Sequence, residues 1–315
     1  MMQKSHEKGV VLVSVLVIVA MISLTVSLMW QQQALSLKNT KNSIYTNQAI
    51  NYLYSMETWV RSILKEDGDK KVDDLSEDWA KKILPISVPN GTINGTIVDF
   101  QARFNINNAF EFKDNQANLV PKYNRILNTL NTTLDQDFMV DLILEHINNH
   151  SLSQGFEHIS QLKLVEGITL KDYLTIEPYI YASTSIKTKI NINTAEKEMI
   201  VALHPNLSLS SAEMIVEKRP FNSLEEAYKA IQQTLSEFTL SQIGDTFSSL
   251  IDIKSSYFLL KADVNINDTH IKAQTLFYRY EKTLSVVSRT YRQVLDTQPS
   301  PADNKDSEVI KTEKN

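Results

Sequence analysis

Residues 10–30 restrict the fold of this chain more than any other stretch, because they contain no charged side chain, no proline and no glycine. As an α-helix this run would be about 32 Å long, which is enough to cross the hydrocarbon core of a bilayer. A cleavable secretory signal has a shorter apolar region followed by small residues, and no such site follows Trp30. We therefore predict a membrane anchor that the protein keeps.

A short polar leader, residues 1–9, precedes the apolar run and contains Lys4 and Lys8. Lysines at this flank hold an N-terminus in the cytoplasm by the positive-inside rule. The remainder of the chain is therefore expected on the far side of the membrane.

The length, the net charge and the lack of cysteine limit the functions that this chain can have. The chain has 315 residues, a formal net charge of -5 and no cysteine. The length suggests about two domains. The absence of cysteine excludes disulfides, thiolate catalysis and cysteine metal sites. The mild acidity disfavours a nucleic-acid binder, which usually carries a basic patch.

The N-terminal helix is predicted to continue far beyond the apolar run. No glycine or proline occurs between Val10 and Glu66, and Gly68 is the expected stop. After Trp30 the composition turns polar, but apolar residues recur at steps of three and four, which indicates one buried face of an amphipathic helix. This predicted face consists of Tyr45, Ala49, Tyr52, Leu53, Met56, Trp59, Val60, Ile63 and Leu64.

Two strands with one buried face each are predicted far apart in the sequence, because apolar and polar residues alternate there. The first places Val98, Phe100, Ala102, Phe104 and Ile106 on one side. The second places Phe258, Leu260, Ala262, Val264 and Ile266 on one side. A turn at Asn267-Asp268 then leads into further strand-like segments, which predicts a meander of about three strands.

A long section with helical spacing separates the two strands, which predicts an α-helical insertion within an α+β protein. The last residues have few apolar groups and are predicted to be disordered. The expected division is a leader at 1–9, an N-terminal transmembrane helix at 10–37, a first α/β part at 38–106, the helical insertion at 107–250, a second β part at 251–296 and the tail at 297–315.

Two groups of residues have side chains that could bind a metal ion. The connector after the long helix contains Glu66, Asp67, Asp69, Asp73, Asp74, Glu77 and Asp78, whose oxygens suit a hard cation. Their spacing matches no EF-hand loop, so solvation is the favoured interpretation. His146 and His150 could share a helix face, but the glutamate of a zinc protease motif does not follow His146, so both are expected to face solvent.

The tripeptide Asn-Ile-Asn occurs three times, beginning at Asn105, Asn191 and Asn265. Asparagine favours turns and helix caps, so we interpret these segments as structural. Asn193 or Thr194 is predicted to cap a helix that begins at Ala195. The helices that follow are similar to a DNA-binding helix-hairpin-helix, but their hairpin has no glycine and their charges are mixed, which favours protein docking or a shape-filling role.

The leader that ends in glycine, the apolar run and the amphipathic continuation together resemble the type IV pilin class. The resemblance implies cleavage after Gly9, with Val10 as the mature N-terminus. Members of the class usually have glutamate at the fifth mature position, where this chain has Ser14. That carboxylate meets the N-terminal amine of a neighbouring subunit, and a buried charge needs such a partner. A chain with Ser14 is therefore expected at the tip of a fibre.

Two segments carry a closer resemblance. "DFQARFNINN" and "KININTAEKEMIVALHPNLSLSSAEMIVEKRPFNSLEEA" resemble segments of the K-type minor pseudopilin family of the type II secretion system. The resemblance implies an α+β fold, in which a pilin-like N-terminal helix packs on an antiparallel sheet that carries a large all-α, SAM-like insertion. Ala102 replaces the family's usual glycine. The stretch "FMVDLILEHINNHSLSQGFEHISQL" lacks aspartates that the family's calcium sites use.

The resemblance implies a structural subunit rather than an enzyme, anchored in the inner membrane by one helix with its body in the periplasm. Prepilin peptidase would process it and methylation of the new N-terminus would follow. Its implied partners are the I-, J- and H-type minor pseudopilins and inner-membrane lipid, without nucleic acid. No cofactor is expected, with calcium the one ion left open.

Two alternatives remain at this point. The first is a tip minor pilin of a type IV or competence pilus, which a basic face on the helical insertion would favour. The second is a membrane-anchored periplasmic enzyme, which a deep pocket with convergent polar groups would favour.

Overall fold

The computed structural model describes residues 6–66, 71–82, 84–113, 116–135, 139–150, 155–183 and 187–294. The predicted disordered tail and residues 1–5 of the leader lie outside these ranges. The helices are α1 His6–Glu66, α2 Pro121–Thr133, α3 Met139–Asn149, α4 Leu170–Ile176, α5 Lys197–Ala202, α6 Leu209–Glu217, α7 Leu224–Thr234 and α8 Leu240–Phe247. The strands are β1 Ile86–Val88, β2 Gly91–Asp99, β3 Phe104–Asn105, β4 Phe110–Lys113, β5 Gln116–Leu119, β6 Ile180–Tyr181, β7 Ile190–Asn191, β8 Ile251–Asp252, β9 Tyr257–Ile266, β10 Thr269–Tyr280 and β11 Thr283–Val294.

Helix α1 is continuous over 61 residues, and its continuity from Val10 to Glu66 confirms the prediction from the absence of glycine and proline in that stretch. Its described apolar residues are exposed from Val11 to Leu37, and its second half packs on the sheet. Ala49, Leu53, Met56, Val60 and Leu64 are buried there. The predicted inclusion of Trp59 in this face is wrong, because its side chain is 43% exposed. Trp59 directly precedes Val60, and successive residues of a helix point about 100° apart.

The main sheet has five antiparallel strands in the order β1-β2-β9-β10-β11. One face packs on α1, where Met56 lies so close to Gly95 that a side chain on that residue would collide with it. The predicted apolar face of β9 is confirmed, since its five alternating residues all belong to the core under α1. Asn267, with φ of 48°, turns the chain into β10, and the three-stranded meander is confirmed.

The prediction of a strand through residues 98–106 is wrong in its extent and in its buried face. Strand β2 ends at Asp99 and a 3₁₀ turn follows at Phe100–Ala102. The Asp99 carboxylate accepts a hydrogen bond from the backbone N–H of Gln101 at 2.8 Å, which turns the chain. Ile93 and Ile97 face α1, whereas Val98 lies on the opposite face of the sheet.

Residues 104–253 enclose a second hydrophobic core of their own, and we call this part the α-domain. Helices α2, α3 and α5 to α8 supply nearly half of this core, including Ile126, Leu130, Ile143, Ile200, Ile231 and Phe247, and the segments between the helices supply much of the rest. The α-domain also contains short strands that the sequence did not predict. The parallel pair β3–β6 contains the first residues of the α-domain, and the parallel pair β7–β8 contains residues close to its last one. Strands β4 and β5 form a hairpin.

Candidate functional site

The first half of α1 presents an uninterrupted apolar surface. Two of its hydroxyl groups bond back to the helix: Ser14 Oγ donates to Val11 O at 2.9 Å, and Thr25 Oγ1 donates to Met21 O at 2.6 Å. Side chains bonded in this way present little polar surface to lipid or to a neighbouring helix. By length and composition α1 could cross a membrane. Gly9 and Val10, the predicted cleavage site, lie within its first turns.

A buried polar junction joins the α-domain to the sheet, and Asp99 is at its centre. The Asp99 carboxylate accepts hydrogen bonds from Ser255 Oγ at 2.6 Å, Thr194 Oγ1 at 2.6 Å and Asn191 Nδ2 at 2.9 Å. Ser255 lies in the chain that leads into β9, and Asn191 and Thr194 lie in the "NINTA" segment of the α-domain. Burial raises the pKa of Asp99, and the donors act against that rise.

An ion pair between Asp73 and Arg279 extends the junction to the connector that follows α1. Asp73 also accepts from Ser255 N at 2.7 Å, while the guanidinium of Arg279 lies 4.5 Å from the ring centroid of Phe258. Burial raises the pKa of Asp73 to about 6, although Arg279 acts to lower it. The connector, β10 and the end of the α-domain are thereby fixed to one another.

Gln101 lies where the chain enters the α-domain, and it binds both the segment that leaves this domain and Lys189 inside it. Its Oε1 accepts from Ser256 N at 2.6 Å and Tyr257 N at 3.2 Å, and its Nε2 donates to Lys189 O at 3.0 Å. Because these backbone groups are held by one buried side chain, the α-domain cannot swing on a single flexible linker. The junction therefore makes the sheet and the α-domain one rigid head.

Asparagine side chains clamp distant loops within the α-domain. Asn193 pairs with both backbone groups of Phe221, donating to O at 3.0 Å and accepting from N at 2.8 Å. Asn107 pairs in the same way with Phe156, at 2.8 and 3.0 Å. The structural interpretation of these residues is in keeping with these contacts. The predicted helix cap is wrong, because α5 begins at Lys197 with Glu196 at the N-cap position.

Most described acids of the connector have partners within the protein. Asp73 is paired with Arg279, and Glu77 Oε2 accepts from Trp79 Nε1 at 2.7 Å. Asp74 Oδ1 accepts from Ser76 N at 2.7 Å. Their oxygens are engaged by the protein itself. Asp67 and Asp69 lie outside the described residues, and among the described residues no three metal-ligating side chains come together.

His146 and His150 stack on each other, with ring centroids 4.1 Å apart. The ring of His150 also contacts His146 O through Nδ1 at 3.0 Å. Burial lowers the pKa of His146, and His150 adds to this effect. In the α5–α6 hairpin Lys197 pairs with Glu213 at 2.9 Å, so opposite charges offset each other on this surface.

Glu57 is a site residue that sequence reasoning missed. It is buried between α1 and the sheet, where it accepts from Arg289 Nε at 2.7 Å, Arg289 Nη2 at 2.8 Å and Thr275 Oγ1 at 2.8 Å. Burial acts to raise the pKa of Glu57, but these hydrogen bonds outweigh it and the pKa is lowered. The sequence signal that could have indicated this site is an acidic residue next to the apolar face of an amphipathic helix.

A long helix, exposed and apolar in its first half and packed on an antiparallel sheet in its second half, defines a pilin-like protein. Comparisons with known proteins find similarity to one family of this class. Residues 190–254, which contain Asn191 and Thr194, match the family described as Type II secretion system (T2SS), protein K.

Similar proteins cover nearly the whole chain. Type II secretion system protein K of Aeromonas hydrophila is 26% identical over 90% of this chain and 96% of its own length. The protein K of Klebsiella pneumoniae is 23% identical over 91% and 97%, respectively. That of Pseudomonas aeruginosa is 23% identical over 83% and 86%.

One solved structure has the same fold. It belongs to the GspK-GspI-GspJ complex of the enterotoxigenic Escherichia coli Type 2 Secretion System, with a TM-score of 0.68 and 21% sequence identity. The match covers 81% of this chain and 99% of that chain. The resemblance stated from the motifs is thus confirmed. The chain has the fold of that GspK chain, and it is similar over most of its length to protein K of the type II secretion system.

Proposed function

We propose that this chain is the tip subunit of the periplasmic pseudopilus, where it helps to start assembly and supports protein secretion across the outer membrane. The rigid head is the observation that carries this proposal. Asp99 and Gln101 fix the α-domain to the sheet, so the domain cannot fold away when subunits stack. A head of this bulk does not suit the repeated packing within a regular helical fibre.

Ser14, at the fifth mature position, also supports a place at the tip. Ser14 bonds to its own helix and carries no charge, so it cannot neutralise the N-terminal amine of a subunit ahead of it. At the tip there is no such subunit. The exposed apolar half of α1 would lie first in lipid and then among the helices of other subunits, where packing drives association.

The proposed partners are the I-, J- and H-type minor pseudopilins. The structural relative was solved as a GspK-GspI-GspJ complex, which supports the first two by analogy. The proposed role is structural rather than catalytic, and it requires neither a cofactor nor nucleic acid.

We propose further that prepilin peptidase cleaves after Gly9, that Val10 is then methylated, and that the mature chain is anchored in the inner membrane with its head in the periplasm. Mass spectrometry of the protein extracted from membranes tests the processing. The expected mass lacks residues 1–9 in a strain with active peptidase and retains them in a strain without it. Retention of the leader in both strains would contradict the proposal.

Co-purification tests the place at the tip. Detergent-extracted full-length chain is mixed with I- and J-type partners, and a complex of all three in equal amounts is expected by gel filtration. A matched sample with the major pseudopilin in place of the partners should remain unassociated. Failure of the three proteins to associate at micromolar concentration would contradict a tip assignment.

A further inference from the structure

A groove lies on the face of the sheet opposite α1, beside the α-domain. It consists of two cavities with volumes of about 530 and 410 Å³. His158, Gln274 and Thr290 line both cavities, so the two are adjacent and together form an elongated groove. Each cavity alone has room for more than one amino-acid side chain.

The two ends of the groove differ in chemistry. The 410 Å³ end is lined by apolar and aromatic side chains that include Phe100, Tyr173, Leu259 and Leu276, and its charged lining residues are Arg103, Glu157 and Glu177. The 530 Å³ end is lined by the cations Lys261, Lys272 and Arg292. The one acid among its described lining residues is Asp263, which is already bound to His270 Nε2 at 2.8 Å and lies 3.8 Å from Lys272 Nζ.

Lys261 is the most constrained of these cations, because it is half-buried at the centre of the sheet. Burial lowers the pKa of Lys261, and repulsion from Arg103 adds to this effect, while Glu177 opposes it. Arg103 itself pairs with Glu177 at 3.6 Å. An anion placed beside Lys261 would therefore stabilise its charged form, which burial and Arg103 disfavour.

The groove also follows the edge of the sheet. Residues 287, 288, 290, 291 and 292 of β11 line one cavity or the other, and β11 is the outer strand on that side. A small inorganic anion would occupy only the cationic end and would leave the apolar end empty.

We propose that this groove binds an extended acidic segment of another protein, with carboxylates at Lys261, Lys272 and Arg292 and apolar side chains against Phe100 and Leu276. The binding site is distinct from the apolar half of α1, and it goes beyond the proposed role as a tip subunit. A tip subunit without this groove would still assemble, so the two proposals can fail separately.

Peptide binding to full-length protein in nonionic detergent tests this groove. The probe is a fluorescein-labelled peptide of four glutamates followed by Phe-Leu-Phe, and its affinity is measured by fluorescence anisotropy. Lys261→Gln should weaken binding about tenfold, and Lys261→Glu should abolish measurable binding. Lys261→Arg should retain binding, which separates the charge from effects on folding. Lys229→Gln, an exposed lysine outside the groove, is the matched control and should leave the affinity unchanged.

Three outcomes would overturn the proposal. The first is equal affinity for the original protein and Lys261→Gln. The second is equal affinity for a peptide with glutamine in place of each glutamate. The third is a dependence on Lys261 that appears with inorganic phosphate or phosphatidylglycerol vesicles but not with the peptide, which would assign the cations to a different anion.

Discussion

At the scale of residues, the junction depends on side chains that are remote in sequence. Asp99 and Asn191 are 92 positions apart, and Asp99 and Ser255 are 156 apart. Asp99 and Asn191 belong to segments whose motifs were visible in the sequence. The hydrogen bonds between these side chains could not be predicted, because a local sequence pattern does not show which buried donor will pair with which acceptor.

Asp99→Ala should lower the free energy of unfolding by about 3 kcal/mol, because the substitution leaves the buried donors of Asn191, Thr194 and Ser255 without their acceptor. Thermal unfolding of the detergent-solubilised chain, followed by circular dichroism, measures the effect. Asp245→Ala, at an exposed position of α8, is the matched control and should change the free energy by less than about 0.5 kcal/mol. Equal effects of the two substitutions would refute the importance of the junction.

The Glu57–Arg289 pair should make stability sensitive to acid. The pKa of Glu57 is lowered in the folded state, so its contribution is present above the unfolded pKa of about 4.5 and is lost as the pH falls through the folded pKa. The original protein should therefore lose stability below about pH 4.5 more steeply than Glu57→Gln, whose side chain does not titrate. Melting temperatures between pH 3 and 7 compare the two, and parallel pH profiles would show that Glu57 contributes nothing of this kind.

At the scale of elements, α1 serves two environments with one helix. Leu64 is fully buried against the sheet, whereas Leu37 on the same helix is 56% exposed. Leu64→Ala should cost about 3 kcal/mol through lost burial and a residual cavity. Leu37→Ala should leave the stability of the single subunit unchanged, because no core packs on it. Denaturation of the two variants side by side measures the difference, and a similar cost for both would contradict this division of the helix.

The elements differ in how far the sequence determines them. Helix α1 was predicted because no glycine or proline interrupts residues 10–66, and strand β9 was predicted because its alternation runs unbroken over the whole element. Strand β2 was mispredicted because Asp99 interrupts the alternation with a side chain that is buried for hydrogen bonding rather than for apolar contact. The short pairs β3–β6 and β7–β8 span two residues per strand, which is too few for any periodic signal. The Glu57 site was missed because it depends on Arg289, which is 232 positions away.

At the scale of the whole molecule, two features confine the chain to the tip in the proposed function: the uncharged Ser14 and the rigid head. Ser14→Glu separates them. A carboxylate in the membrane is costly by about 3 kcal/mol unless it finds a partner such as the N-terminal amine of another subunit. We expect the variant to stay at the tip, because the bulk of the head is unchanged.

Immunogold labelling of pseudopili locates this variant. Gold at the ends alone is the expected result, and Ser14→Ala serves as the uncharged control with the same distribution. Gold along the shaft would mean that the missing carboxylate, rather than the size of the head, restricts the original protein to the end.

The continuity of α1 has a mechanical consequence. A helix of 61 residues extends about 90 Å, and no proline or glycine interrupts it between its apolar half and the residues that grip the sheet. A load applied to the membrane end is therefore carried along the rod to the head with little loss in bending. Pushing the anchor out of the bilayer by a given distance should advance the leading surface of the molecule by nearly the same distance.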